Sequence, residues 1–233
     1  VDAHMNLAFA LLLTGQFEEG WREFEWRRRR AGRPERRTGL PEWDGRPVDE
    51  GAILLYAEEG FGDTIQFVRY APLVRRLCGK VVVECQQGLD RLLRTAPGVD
   101  AAVAGGTAVA GAVCEAPLLS LPRILGLGGG SAPAGTPYLA ADPELAACYG
   151  RLLVPDGRLR VGIVWAGNPS HRNDRNRSVP LERLRPLFEA DRVAAFSLQV
   201  GPKAAELASL GAAAAAADLR QAVYGHVLRQ SPQ

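Results

Sequence analysis

Between residues 3 and 30 the apolar positions recur at three- and four-residue intervals. Leu7, Ala8, Ala10, Leu11 and Leu12 give one helix an apolar face that ends at Thr14-Gly15, and Phe17, Trp21, Phe24 and Trp26 with Gly20 give a second. The Arg27 to Arg30 run that follows is expected to be solvated at a helix carboxyl end. Residues 33–50, rich in Arg, Gly and Pro, predict a linker around Pro41-Glu42-Trp43-Asp44. The spacing then changes. Ala52–Tyr56 is a continuous apolar run that predicts a buried strand, and it leads into the turn Gly60-Phe61-Gly62-Asp63. From Thr64, the residues Ile65, Phe67, Val68 and Leu73 return to helical intervals as far as Leu77. Strands are predicted at 80–85, 99–104 and 112–116, with short helices at 89–93 and before Gly126. This alternation predicts an α/β fold with a parallel, doubly wound sheet.

Gly128–Pro133 reads as the clearest linker, and a second unit follows. Its expected elements are a helix at 143–153 capped by Asp142, a strand at 160–166, a polar loop at 167–177, a helix at 180–188, a strand at 193–198 and a helix at 202–210. Trp165 is expected in the core and His171 in the loop. The resulting division is a helical hairpin at 1–32, a linker at 33–50, a first Rossmann-like domain at 51–130, a linker at 131–141 and a partial second Rossmann-like domain at 142–233, divergent from 211.

The order strand, glycine turn, helix is how open α/β sheets build a crevice at a strand's carboxyl end. Asp63 lies where that crevice opens, so a carboxylate able to take a proton from a hydroxyl is one reading of it. A helix cap formed by Asp63 with Gln66, or by Thr64, is the other. Arg69, further along the helix, is expected to pair with a surface acid.

Composition narrows the function classes. The chain has 233 residues, 47% hydrophobic, with a formal charge of +2, so bulk electrostatics do not suggest a nucleic-acid partner. Lys80 and Lys203 are the only lysines. Cys78, Cys85, Cys114 and Cys148 form no C-x-x-C pair, and with three scattered histidines they give no metal-ligand pattern. No cofactor, no membrane span and a cytoplasmic location are the expectations. The chain opens on Val1 rather than Met, which is read as a fragment of a longer protein.

Two resemblances add to this. Asn6-Leu7-Ala8, Gly15, Phe17-Glu18-Glu19-Gly20 and Phe24 resemble a single tetratricopeptide repeat, with Ala8 and Gly20 allowing close helix pairing. This implies a possible protein partner for the helices. Pro41-Glu-Trp-Asp-Gly, Glu58–Pro72, Pro117–Pro122, Val161–Pro169, Asn173–Pro180 and Ser197-Leu-Gln resemble, in order, the glycosyltransferase-like domain related to heptosyltransferases that follows such repeats in bacterial proteins. That family implies a GT-B arrangement and an inverting transfer from a nucleotide sugar to a hydroxyl acceptor on a glycan or protein. It implies Asp63 as the general base, with Gly60, Gly62, Thr64 and Gln66 beside the acceptor. Asn168, Arg172, Arg175 and Arg177 would meet the diphosphate. After Leu210 the sequence departs from the pattern, and His226 lacks the expected surroundings. The expectation is therefore that the chain as it stands does not turn over sugar nucleotides, and a scaffold built on the repeat helices is the rival reading.

Overall fold

The structure, a computed structural model, describes residues 1–210 apart from 33–35, 37, 129–134, 136, 154–155 and 172. The Gly128–Pro133 linker apart from Gly128, Arg172, His226 and the divergent tail lie outside the described residues. The chain divides into two compact units, with the boundary between Pro143 and Glu144.

The first unit opens with α1 (Asp2–Leu13) and α2 (Phe17–Phe24), which continues as a 3₁₀ turn over Glu25–Arg29. The buried stripe of α1 is Met5, Ala8 and Leu11, so the apolar face is rotated from the one expected and Leu7 is exposed. Gly20 is where the helices close: a Cβ there would lie 2.8 Å from the Leu12 side chain and 3.1 Å from its backbone nitrogen.

Four strands follow: β1 (Val48–Tyr56), β2 (Cys78–Cys85), β3 (Ala101–Ala104) and β4 (Ala112–Pro117). They pair in the order β3-β2-β1-β4, and every pairing is parallel. Their near-continuous apolar sequences fit strands buried on both faces. Ile53, Leu55, Val81, Val83 and Cys114 face a core built with α3 (Phe61–Phe67), α4 (Ala71–Arg75), α5 (Asp90–Leu93) and α6 (Leu121–Ile124). The opposite face, Ala52, Leu54 and Val82, meets Leu40, Val109 and Ala112 instead. Among the described residues, helices therefore cover one face rather than the two of a doubly wound sheet. The reason is the β3–β4 crossover, residues 105–111, which is too short to hold a helix.

The segment read as a linker is built in. Trp43 is buried in the helix-side core, its backbone N–H donates to the Glu115 carbonyl at 2.7 Å, and Glu115 N–H returns a bond to the Pro41 carbonyl at 2.9 Å.

The second unit contains α7 (Pro143–Leu152, which begins at the boundary), α8 (Arg185–Glu189) and a separate parallel pair, β5 (Leu159–Ile163) and β6 (Val193–Ser197). Its core is smaller: Ile163, Trp165, Ala166, Leu181, Ala195, Leu207 and Leu210. The helix expected at 202–210 is present as a 3₁₀ helix, Pro202–Leu210. The expected strand stops early. The Trp165 and Ala166 amides donate to Gln199 Oε1 at 2.9 and 2.8 Å, so a side chain replaces the sheet ladder there.

Candidate functional site

The strand order reverses beside β1, so the sheet's crevice lies at the carboxyl ends of β1 and β4. Downstream of β1, Gly60 caps α3 and Asp63 is its third residue. Asp63 is half-buried, and its Oδ2 accepts the Gly60 N–H at 3.0 Å. Gly60 has no side chain to complete a capping box, so only the carboxylate half exists. The helix thus begins earlier than the Asp63–Gln66 cap would require, and Thr64 does not cap it either. Among the described residues, no hydrogen bond is made to the second oxygen of Asp63.

Gly62 and Gln66 are exposed next to Asp63. Neither Gly60 nor Gly62 has a positive φ, and a Cβ on Gly62 would meet open space. Neither backbone conformation nor packing among the described residues requires a glycine there. Thr64 is fully buried, and its hydroxyl donates to Gln86 Oε1 at 2.9 Å, while Gln86 Nε2 donates to the Glu59 carbonyl at 2.7 Å. These bonds fix the turn from below.

Above it lies a group that the arginine run concealed. Arg27 is 1% exposed rather than solvated. Its Nε and Nη2 donate to Glu58 Oε2 at 3.2 and 2.7 Å, its Nη1 to Glu25 Oε1 at 2.8 Å, and its Nη2 to Ser120 Oγ at 2.6 Å. Ser120 Oγ donates in turn to Glu25 at 2.8 Å. The spacing Gly20, Phe24, Arg27 is helical, and this signal places Arg27 on the buried side of the 3₁₀ turn that continues α2. Arg28 forms a fork on Glu42, with bonds of 2.6 and 2.8 Å, and Arg29 lies over Trp26 at 4.2 Å. Arg69 meets no acid among the described residues; its guanidinium lies 4.8 Å from the Tyr138 ring centre, and its Nε is buried without a partner.

Beside these groups, a pocket of about 290 Å3 is lined by Arg28, Arg36, Leu40, Glu42, Tyr56 and Glu115. Arg36 stacks 3.9 Å above Tyr56 and reaches Glu84 and Glu115 at 2.8 and 2.7 Å. Burial first, and the Glu58 charge second, push the Tyr56 phenol up to about 12, so it stays protonated at neutral pH. A larger cleft of about 540 Å3 opens between Trp21 and Arg22 of α2 and Pro122 and Arg123 of α6, and Asp63 does not line it.

In the second unit Asn168, Arg175 and Arg177 are all exposed. Neither arginine has an ion-pair partner among the described residues. The loop is shaped by Asp174, whose Oδ1 accepts the Ser178 hydroxyl at 2.8 Å. A pocket of about 380 Å3 beside it is lined by Trp165, Asp174, Ser178, Lys203 and Glu206 among others, and not by the two arginines. Among the described residues, no cluster of His, Cys, Asp or Glu is arranged to hold a metal, and no helix is long and apolar enough to cross a membrane. Searches against models of protein families, curated proteins and solved structures find no match to this chain.

Proposed function

We propose that this chain belongs to a glycosyl-transferring lineage built on two Rossmann-like units, with the acceptor at the first and a nucleotide sugar mainly at the second. The observation that carries this reading is the position of Asp63: a half-buried carboxylate with one oxygen that accepts no hydrogen bond from the described residues, in an exposed glycine turn at the end of β1. In the proposed reaction an acceptor hydroxyl attacks the anomeric carbon and its proton passes to Asp63. The bond from that carbon to the diphosphate breaks, and the leaving group keeps the electron pair. Arg175 and Arg177, with Asn168, would offset the negative charge that develops there. Gly60, Gly62 and Gln66 would border the acceptor, while Thr64 acts through Gln86 to hold the turn.

Asparagine separates the two roles of Asp63, because its side-chain oxygen can accept the Gly60 N–H but cannot take a proton. In a longer parent protein that turns over sugar nucleotides, Asp63→Asn is expected to lower that turnover by ~10²-fold or more at an unchanged melting temperature. Turnover equal to that of the parent protein would assign the carboxylate to the cap alone. For the 233-residue chain, calorimetric titration with nucleoside diphosphates is expected to show weak binding that fades with salt, because exposed arginines are screened. Tight, salt-insensitive binding would place the donor site elsewhere.

A scaffold reading has one observation in its favour: Leu7, Phe9 and Leu13 are 46, 52 and 90% exposed on α1. Under it, Leu7→Lys with Leu13→Lys abolishes association measured by light scattering, and Asp63→Asn changes nothing.

A further inference from the structure

We infer that the pocket bounded by Tyr56, Arg28, Arg36, Glu42 and Glu115 binds an uncharged polyhydroxylated ligand of about one sugar ring, oriented by the Tyr56 hydroxyl. Asp63 does not line this pocket, and the inference does not rest on the proposed transfer.

Tyr56 is the last residue of β1 and has the parity of Ala52 and Leu54, on the face that carries no helix among the described residues. It is 9% exposed, yet its hydroxyl makes no hydrogen bond to any described residue. A buried tyrosine ordinarily finds a partner for that group. The buried polar atoms without a partner among the described residues are Arg69 Nε and Ser197 Oγ. The Tyr56 hydroxyl is not one of them, so it opens onto the pocket of about 290 Å3 rather than onto the core. Arg36, stacked 3.9 Å above the ring, supplies part of the burial.

The charged side chains that line the pocket are paired with one another. Arg28 forks onto the two oxygens of Glu42 at 2.6 and 2.8 Å, and Arg36 reaches Glu115 at 2.7 Å. Arg36 also reaches Glu84, which does not line the pocket and accepts the Gly106 N–H at 3.2 Å. Two guanidinium groups thus stand against two carboxylates, and the phenol stays protonated, so neither a phosphate nor an ammonium ion meets a net opposite charge. What remains is hydrogen-bonding capacity. Arg28 Nε and Arg36 Nη1 donate to no described residue, the carboxylates keep unused lone pairs, and the phenol can donate or accept. A ligand hydroxyl also does both, so neighbouring hydroxyls on one ring can meet a guanidinium and a carboxylate together. Leu40 adds an apolar wall for the C–H side of such a ring. The volume is at the lower end for small-molecule sites, which suits a single ring.

The experiment titrates the full 233-residue chain, isotope-labelled at tyrosine Cζ, with the methyl glycosides of glucose, galactose and mannose. Tyr56→Phe assigns the Tyr56 resonance by its loss. At least one glycoside is expected to move that resonance saturably, with a dissociation constant on the order of millimolar. Tyr56→Phe keeps the ring under Arg36, and removing a hydroxyl without a partner should leave the melting temperature unchanged. Ligand-observed magnetic resonance gives the affinity of the variant, expected to be ~5-fold weaker. Inorganic phosphate and ethylammonium should leave the Tyr56 resonance in place. The inference is overturned if no glycoside moves the resonance, if Tyr56→Phe binds as tightly as the parent, or if phosphate or ethylammonium moves the resonance saturably. No nucleotide enters the titration, so failure of the reaction proposed at Asp63 leaves this result standing, and the reverse.

Discussion

At the end of β1 the chain is fixed by charges drawn out of water, Arg27 against Glu58 and Glu25, while Glu59, Gly60, Phe61 and Gly62 form the exposed surface of the turn beside the half-buried Asp63. At the end of β5 the arrangement is inverted. The buried group is a neutral amide, Gln199, 2% exposed, and the charged residues Arg175 and Arg177 stand in solvent. Gln199 accepts from the Trp165 and Ala166 amides and donates to the Ala166 carbonyl at 3.0 Å and the Val200 carbonyl at 2.8 Å. A buried amide can satisfy its donors and acceptors with backbone alone, whereas a buried guanidinium needs a carboxylate partner. The second loop can therefore be braced from within its own unit's backbone, but the first needs side chains from remote segments.

The largest effect that could break this contrast is at Gln199. Gln199→Leu leaves the Trp165 and Ala166 amides without their acceptor in a buried place, and is expected to cost ~2–4 kcal/mol. Chemical denaturation of the variant measures it. A cost below about 1 kcal/mol would mean that the β5 end is held by packing around Trp165 and not by the amide.

The sequence made the β1 end legible in its elements and not in its bracing. Ala52–Tyr56 announced itself through an unbroken apolar run, and the Gly60–Asp63 turn through its glycines, because both signals are local. Arg27 was concealed by its neighbours: within a run of four arginines the charge pattern argues for solvent, and only the helical phase set by Gly20 and Phe24 argues for burial. Its partners Glu58 and Ser120 lie 31 and 93 residues away, a pairing that no local spacing encodes. Trp43 was taken for linker because Pro and Gly surround it, although its bonds to the neighbouring β4 backbone make it part of the sheet edge. In the second unit Gln199 lay inside a recognised stretch, but a buried glutamine has no periodic signature that separates it from an exposed one.

A second effect belongs to the sheet of the first unit. Burial first, and the nearby Asp90 carboxylate second, push the Cys85 thiol up to about 11, and burial also raises Cys78 and Cys114. A thiol whose folded value lies above its unfolded one contributes stability that is fully present below about pH 9 and is lost as pH rises towards 11. For Cys85 the loss is expected to reach ~2–3 kcal/mol, at about 1.4 kcal/mol per unit. Cys85→Ala should flatten this part of the stability–pH curve, although it weakens packing at every pH. An unchanged slope would show that Cys85 does not carry the alkaline loss.

The smallest effect sharpens the comparison at the exposed side of the β1 turn. Gly62 is the second residue of α3, its φ is not positive, and an added Cβ would touch nothing within 4 Å. Alanine there restricts the unfolded chain and favours the helix, so Gly62→Ala is expected to stabilise the free protein by ~0.5 kcal/mol. Gly20 is the internal control, because a Cβ there collides with Leu12 and the same substitution must destabilise. The opposed signs distinguish a glycine required by helix packing from one that packing among the described residues does not require. If a ligand approaches the backbone beside Asp63, the more stable Gly62→Ala protein should bind it more weakly, since the methyl occupies the space the ligand needs. Thermal unfolding gives the first quantity and calorimetric titration the second. A variant that gains stability and binds as the parent does would leave the turn without a ligand on that face.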